Sequence, residues 1–548
     1  MKNRYSIWIL SVVLCFFVFS GVAMAASASE KTVRLTNAWP CYIDPAIAAD
    51  FASSVSVANL YDTLVFPTHD GEVIPHLAES WTISEDGLTY VFKLRSGVKF
   101  HDGSDLKAED VKFSMDRLLA IGQGYSYIFK PVIDSVEAND DYTVTFKLKK
   151  TFGPFLYSLA RLYVLNKDLV MVNIEQNDEY GDLGDYGKRW LLTNDAGSGP
   201  YQVQEMKLEE YLHAVRFADY WKPFDPNAPD SFRNIGTTET ATVRTLIQKR
   251  ELEISDFRQP AEFYDNVSKV DGINVAKLFG GSTLFTMMHT KKAPTDDVHF
   301  RKALAYSIDY DAVANHIFPG SHQCQGPVSF ILPGHNPNVF QYKRDLEKAK
   351  EELALSPYAD KLDEYPVDLI WCAEVPDEEK VALLIQANAA DIGIQVNVIK
   401  NPWMKIIEEV ATPETTASMY LIFVSPHYAE AGSMIQSKYH SSSAGTWEQS
   451  EWLQDEQLDS MIEDAIDTID KDARFEKYGK IQEYIVDLCP SLFLIDQPEN
   501  YAFQDAYIDW IPADRAERGE KVNPVMGYNQ YMPEIKVYPE KRDELMKK

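Results

Sequence analysis

Apolar and polar residues alternate over 88–95, with Leu88, Tyr90, Phe92 and Leu94 on one face and Thr89, Val91, Lys93 and Arg95 on the other. A period of two predicts a half-buried strand. Asp86-Gly87 and Ser96-Gly97 punctuate it, so 98–100 is expected to fold back as its partner. Residues 142–148 alternate in the same way and predict a second strand. Elsewhere the period lengthens. Val111, Met115, Leu118 and Leu119 fall at i, i+4, i+7 and i+8, and Phe300, Leu304 and Ile308 recur every fourth residue after Asp296-Asp297, so both stretches predict amphipathic helices. The segment "KVALLIQANAADIGIQVNVIKNPW" predicts a helix from about Lys380, a stop at Gly393, and a strand with Ile394, Val396 and Val398 on one face. Helix, glycine and strand in that order form the unit from which open α/β sheets are built.

A chain of 548 residues exceeds what one hydrophobic core supports, so two or more lobes are expected. With 45% hydrophobic and 25% charged residues the chain is globular, not disordered. The start reads as a secretory signal over 1–25: Lys2 and Arg4 are basic, 7–22 is apolar, and Ala23-Met24-Ala25 is an A-x-A cleavage site. An uncleaved anchor is the alternative. Cys15 lacks the preceding small residue of a lipoprotein signal, so the expected location is the periplasm, free of the membrane. No later stretch is long and apolar enough to span a bilayer.

Loss of Lys2 and Arg4 takes the formal charge from −30 to −32, a field that repels phosphate backbones and anionic headgroups. Nucleic acid and membrane surfaces are thereby poor partners. Cys41, Cys324, Cys372 and Cys489 are far apart with no C-x-x-C, which suggests neither a zinc site nor a redox pair and leaves disulfide pairing open. Ser96-Gly97-Val98-Lys99 matches a bare S-x-x-K, but in a turn rather than at a helix start. G-x-S-x-G, H-E-x-x-H and G-x-x-x-x-G-K-[ST] are absent, and His289, His299, His316 and His322 lack metal-ligand spacing. No catalytic residue, metal or cofactor is assigned.

"HLAESWTISEDGLTYVFKLRSGVKFHDGSDLKAEDVKFSMDRLL", "GSGPYQV", "TLIQKRELEISDF", "FRKALAYSIDYDAV" and "EKAKEEL" occur in an order and spacing that resemble the family 5 extracellular solute-binding proteins of ABC importers. The resemblance covers nearly the whole mature chain. It implies an α/β periplasmic-binding-protein type II fold, with two lobes joined by two hinge segments and a small inserted N-terminal lobe. The first lobe would take 26–72, 190–284 and 497–548, the insert 73–189, and the second lobe 285–496. The implied role is that of a monomeric receptor, not an enzyme. It would close on a small solute, a peptide or peptide-like compound, and deliver it to a membrane permease. An oligosaccharide, an opine or a metal chelate are alternative cargoes; a periplasmic hydrolase, chaperone or sensor is the alternative of another class.

Ligand contacts are expected where aromatic residues end strands beside loops. Trp39, Cys41 and Tyr42 follow the first mature strand. Phe257 and Arg258 follow "EISD", and Arg258 could fork onto a carboxylate. Trp371 ends "VDLIW" and Trp403 follows the next strand, with core packing the alternative for both. The stretch "LIFVSPHYAEAGS" is the most informative. Peptide-binding members of the family carry a tryptophan here, followed by an aspartate that pairs with the peptide amine. The matching tryptophan is Phe423, and Ser425, Pro426 and His427 occupy the place of the aspartate, followed by Tyr428 and Glu430 as the nearest acid. Either Glu430 substitutes, or the alignment slips by a few residues, or the solute has no α-amine. A nickel chelate on His427 is a further alternative. Lys107 replaces the family's threonine before the helix at Val111, which removes only a cap.

Overall fold

The computed structural model describes residues 31–38, 42–177 and 179–547. The expected signal over 1–25, and Trp39 and Cys41, lie outside the described residues. Residues from Lys31 onward form one compact unit.

Three sheets organise it. In the first, strand Thr32–Asn37 pairs in parallel with Ser231–Gly236, which continues antiparallel into Tyr211–Arg216 and Tyr201–Lys207. Ile254 bridges both Leu35 and Phe503, and so ties this sheet to the antiparallel pair Asn274–Leu278 and Glu499–Phe503. The second sheet is antiparallel, ordered Ala78–Ile83, Thr89–Leu94, Thr143–Leu148, Ile133–Asp140, and helix Ala108–Ile121 packs on it. Tyr90, Phe92 and Leu94 point into the core, as the alternation predicts. The expected partner does not form. Val98 and Phe100 are buried, but Thr89–Leu94 pairs with Ala78–Ile83 through the Ser84–Thr89 turn and with Thr143–Leu148 on its other side. Two full-length strands saturate its hydrogen bonds, whereas a three-residue return would leave half of them unmade.

The third sheet is mixed, in the order His322–Gln323, Ser491–Asp496, Thr283–Met288, Met419–Val424, Val367–Cys372, Val396–Asn401. Its last three strands run parallel. Strands Thr283–Met288 and Ser491–Asp496 are buried along their whole length, which accounts for their nearly continuous apolar runs. The predicted helices are present, at Val298–Ser307 with Asp297 as N-cap and at Asp377–Ala390. The second starts three residues before Lys380, because Asp377, Glu378 and Glu379 suit a first turn.

Two short segments cross between the first and third sheets: 279–282, after Asn274–Leu278, and Gln497-Pro498, before Glu499–Phe503. Two polar clamps fix the second sheet to the first. Arg117 forks onto Asp44 at 2.7 and 2.6 Å. His101 bonds Asp195 through Nδ1 and donates from Nε2 to the Gly199 carbonyl at 3.0 Å. Gly197 of "GSGPY" must be glycine, since a Cβ there would sit 1.9 Å from the Leu60 carbonyl oxygen.

Candidate functional site

Strand Met419–Val424 delivers the loop 425–430 to the seam where the second and third sheets meet. Phe423, half-buried, packs edge-on against Phe318 with centroids 5.8 Å apart. Ser425 is half-buried at the start of the loop. The loop is held on its own side: the His427 N–H donates to Ser433 Oγ at 2.7 Å, and Pro426 packs on Gly281 of the first crossing. On the far side Arg161 Nε donates to the His427 carbonyl at 2.8 Å and Arg161 Nη1 to the Met526 carbonyl at 3.0 Å. A second seam contact runs from Gly153 N–H to the Ile466 carbonyl at 2.7 Å.

The His427 ring joins two further groups. Its Nε2 lies 2.8 Å from Glu448 Oε1, and the ring of Tyr127 meets it edge-on at 5.3 Å. Glu448 Oε2 has no hydrogen-bond partner among the described residues, and 12% of that side chain stays accessible. Tyr127 is 47% exposed, yet burial, and then the charge of Glu448, push its hydroxyl well above 10. An aromatic ring and a carboxylate thus meet on the two sides of one imidazole, with Tyr428 and Arg161 close to Tyr127.

The other predicted residues distribute unevenly. Glu430 is fully buried and turned away: Arg474 forks onto it at 2.7 and 2.9 Å, and the Tyr478 hydroxyl donates to it at 2.8 Å. Three strong donors already occupy its oxygens. Tyr428 is buried with its hydroxyl unpartnered, and burial followed by the charge of Glu430 raises its pKa well above 10. Trp371 is buried under the Lys400 amine, 5.0 Å from its ring. Trp403 is half-buried, T-shaped on Trp447 at 5.3 Å, next in sequence to Glu448. Tyr42 and Phe257 both reach the start of helix Phe51–Leu60: Tyr42 N–H donates to Ser53 Oγ at 3.3 Å, and Phe257 meets Phe51 at 4.9 Å. Arg258 is exposed, its guanidinium 5.2 Å from the Phe257 ring. Among the described residues no group of three or more His, Cys, Asp or Glu could hold a metal ion.

Tyr127, Arg161 and Glu448 escape a reading of the sequence. Only Arg161 leaves a trace there, as the single charge in the apolar run "PFLYSLARLYVL". Tyr127 and Glu448 carry none, since both are brought to His427 from distant segments.

The model for the bacterial extracellular solute-binding proteins, family 5 Middle, matches residues 72–446. The probable D,D-dipeptide-binding periplasmic protein DdpA of Escherichia coli (strain K12) is 27% identical over 519 residues, covering 92% of this chain and 94% of its own. The dipeptide-binding protein of the same organism is 29% identical over 512 residues, covering 86% and 90%. Among solved structures, the periplasmic binding protein DppA of Helicobacter pylori in complex with the peptide STSA superposes with a TM-score of 0.75 at 23% identity, covering 92% of this chain and 98% of that one. In the described residues no helix is long and apolar enough to cross a membrane.

Proposed function

Because the chain belongs to the bacterial extracellular solute-binding proteins of family 5, we propose that it is the periplasmic receptor of an ABC importer for peptides. It would bind without chemical conversion and work as a monomer. Its lobes would take 26–72, 190–284 and 497–548, then the insert 73–189, and 285–496. They would close about the crossings 279–282 and Gln497-Pro498 to deliver the solute to a permease. The dipeptide-binding relatives support the peptide cargo.

The observation that carries this reading is the free Oε2 of Glu448 beside the open face of Tyr127. A peptide ammonium needs a carboxylate when it leaves water, and an aromatic face adds to its attraction. Ser425, Pro426 and His427 stand where the family's aspartate is expected, and Glu430 is taken by Arg474. Glu448 takes over the amine, with His427 orienting its other oxygen. Trp447, next in sequence to Glu448, and Trp403 packed on it would supply stacking surface for side chains, with Phe423 at the end of the strand that leads to His427.

Isothermal titration calorimetry with free and N-acetylated di- to tetrapeptides checks this. Acetylation should weaken binding to the unmodified protein by about tenfold or more, and Glu448→Gln should abolish the difference, since a lost charge-assisted hydrogen bond is worth about 1.5–3 kcal/mol. Equal binding of free and acetylated peptides would remove Glu448 from the amine site, and binding of none would remove the peptide reading.

A further inference from the structure

Among the described residues, five lysine and arginine side chains lie almost wholly out of water, and four of them are satisfied. Arg117 forks onto Asp44, Arg474 onto Glu430, and Lys438 pairs with Glu451 at 3.3 Å. Arg301, 5% exposed, faces no carboxylate but spends Nε, Nη1 and Nη2 on the carbonyls of Cys489, Thr295, Asp296 and Leu488. Arg161 is the exception. It is 1% exposed, and among the described residues it forms no ion pair and its Nη2 makes no regular hydrogen bond, the Tyr163 hydroxyl being the polar group beside the guanidinium. A guanidinium stays protonated under all ordinary conditions, so this is a buried full charge with an unused donor. Buried charges left uncompensated are strongly destabilising, and an orphaned buried donor calls for a specific explanation.

Where Arg161 sits supplies one. Its two acceptors belong to His427, whose ring meets Glu448 and Tyr127, and to Met526, near the chain end, while the Tyr125 ring lies 4.6 Å beneath the guanidinium. Tyr127, two residues from Tyr125, feels the opposite charges of Arg161 and Glu448. A cation and an anion thus both lie against His427, Arg161 on its carbonyl and Glu448 on its ring, beside the exposed ring of Tyr127. This pattern matches a solute that carries both charges.

Resting on the peptide reading above, we infer that Arg161 receives the acidic end of the solute, the C-terminal carboxylate of a peptide, on Nη2. The planar guanidinium suits this geometry, since Nε and Nη1 hold the seam while Nη2 is left for the ligand. Nη2 is shut from solvent in the present arrangement. The carboxylate therefore has to arrive while Arg161 and the His427 carbonyl are apart, and binding and closure then complete the same donor set.

The test compares a panel of di- to tetrapeptides with their C-terminal amides, by calorimetry on the whole protein and on two variants. Amidation should weaken binding to the unmodified protein by about tenfold or more, Arg161→Gln should bind acid and amide alike, and Arg161→Lys should restore part of the preference. If acid and amide bind the unmodified protein within about twofold of each other, or if Arg161→Gln weakens both by one common factor, Arg161 only clasps the seam and the inference falls. The comparison on the unmodified protein decides even if the glutamine variant does not fold. Failure of every free peptide to bind the unmodified protein would defeat the peptide reading and this inference together, whereas intact peptide affinity with no acid preference defeats this inference alone.

Discussion

Glu430 and Glu448 stand 18 positions apart and divide two tasks that one acid was expected to perform. Glu430 neutralises Arg474 inside the third sheet's helical layer and accepts from Tyr478. Removing it leaves a guanidinium buried without its counter-charge. Glu430→Ala should therefore cost about 3–5 kcal/mol in urea unfolding, with the peptide affinity of the folded fraction unchanged. A variant of normal stability that no longer binds peptide would instead make Glu430 a ligand group. Glu448 is the reverse case. One of its oxygens is committed to His427 and the other has no partner among the described residues, which is the arrangement the proposed amine site requires.

At the scale of elements, the Gln497-Pro498 crossing is bracketed by two buried carboxyls. Burial pushes Asp496 up to about 7, against the opposing effect of the nearby Ser329 hydroxyl and Phe330 N–H, and its Oδ1 has no partner among the described residues. Burial pushes Glu499 up to about 7 as well, against the Tyr501 hydroxyl and the charge of Arg258. Glu499 also packs on Gly280 of the other crossing, where a Cβ would come within 2.6 Å of its Oε1. A carboxyl with a raised folded-state pKa holds its proton more tightly in the folded form. Its stabilising contribution is complete below the ordinary carboxyl range and is lost as pH rises through about 7. Melting temperature should accordingly fall from mildly acidic to mildly alkaline pH, and the pair Asp496→Asn with Glu499→Gln should flatten that slope. An unaltered slope would place the titration elsewhere. His101 belongs to the same scale. With Asp195 on one nitrogen and the Gly199 carbonyl on the other, both ring nitrogens act as donors, and despite the opposing effect of burial the charge of Asp195 raises its pKa. The hallmark "KFHDG" thus serves to clamp the second sheet to the first.

For the whole molecule, Arg161 bonds His427 and Met526, and Gly153 bonds Ile466, contacts that would hold the proposed lobes together in a closed state. Receptors that close on a hinge should be more open without solute. Small-angle X-ray scattering should give a smaller radius of gyration in saturating peptide than in its absence, and peptide should raise the melting temperature by mass action. A radius that does not change with peptide would contradict closure.

Much of this architecture is legible in the chain alone. Alternation over 88–95 and 142–148 and the fourfold spacing after Asp297 depend on neighbours in sequence, and the corresponding strands and helices form where expected. Local pattern determines these elements because each buries one face, whatever lies opposite. The motif series determines the family for the same reason, as strings of residues that set turns and packing. Strand partners were beyond that reach: Thr89–Leu94 takes Ala78–Ile83 and Thr143–Leu148, because hydrogen-bond saturation is settled between segments. The two glutamates are the sharper instance. Glu430 and Glu448 look alike as letters, and only tertiary packing places Arg474 against the one and leaves an oxygen of the other free, since burial and counter-charge are properties of neighbours in space.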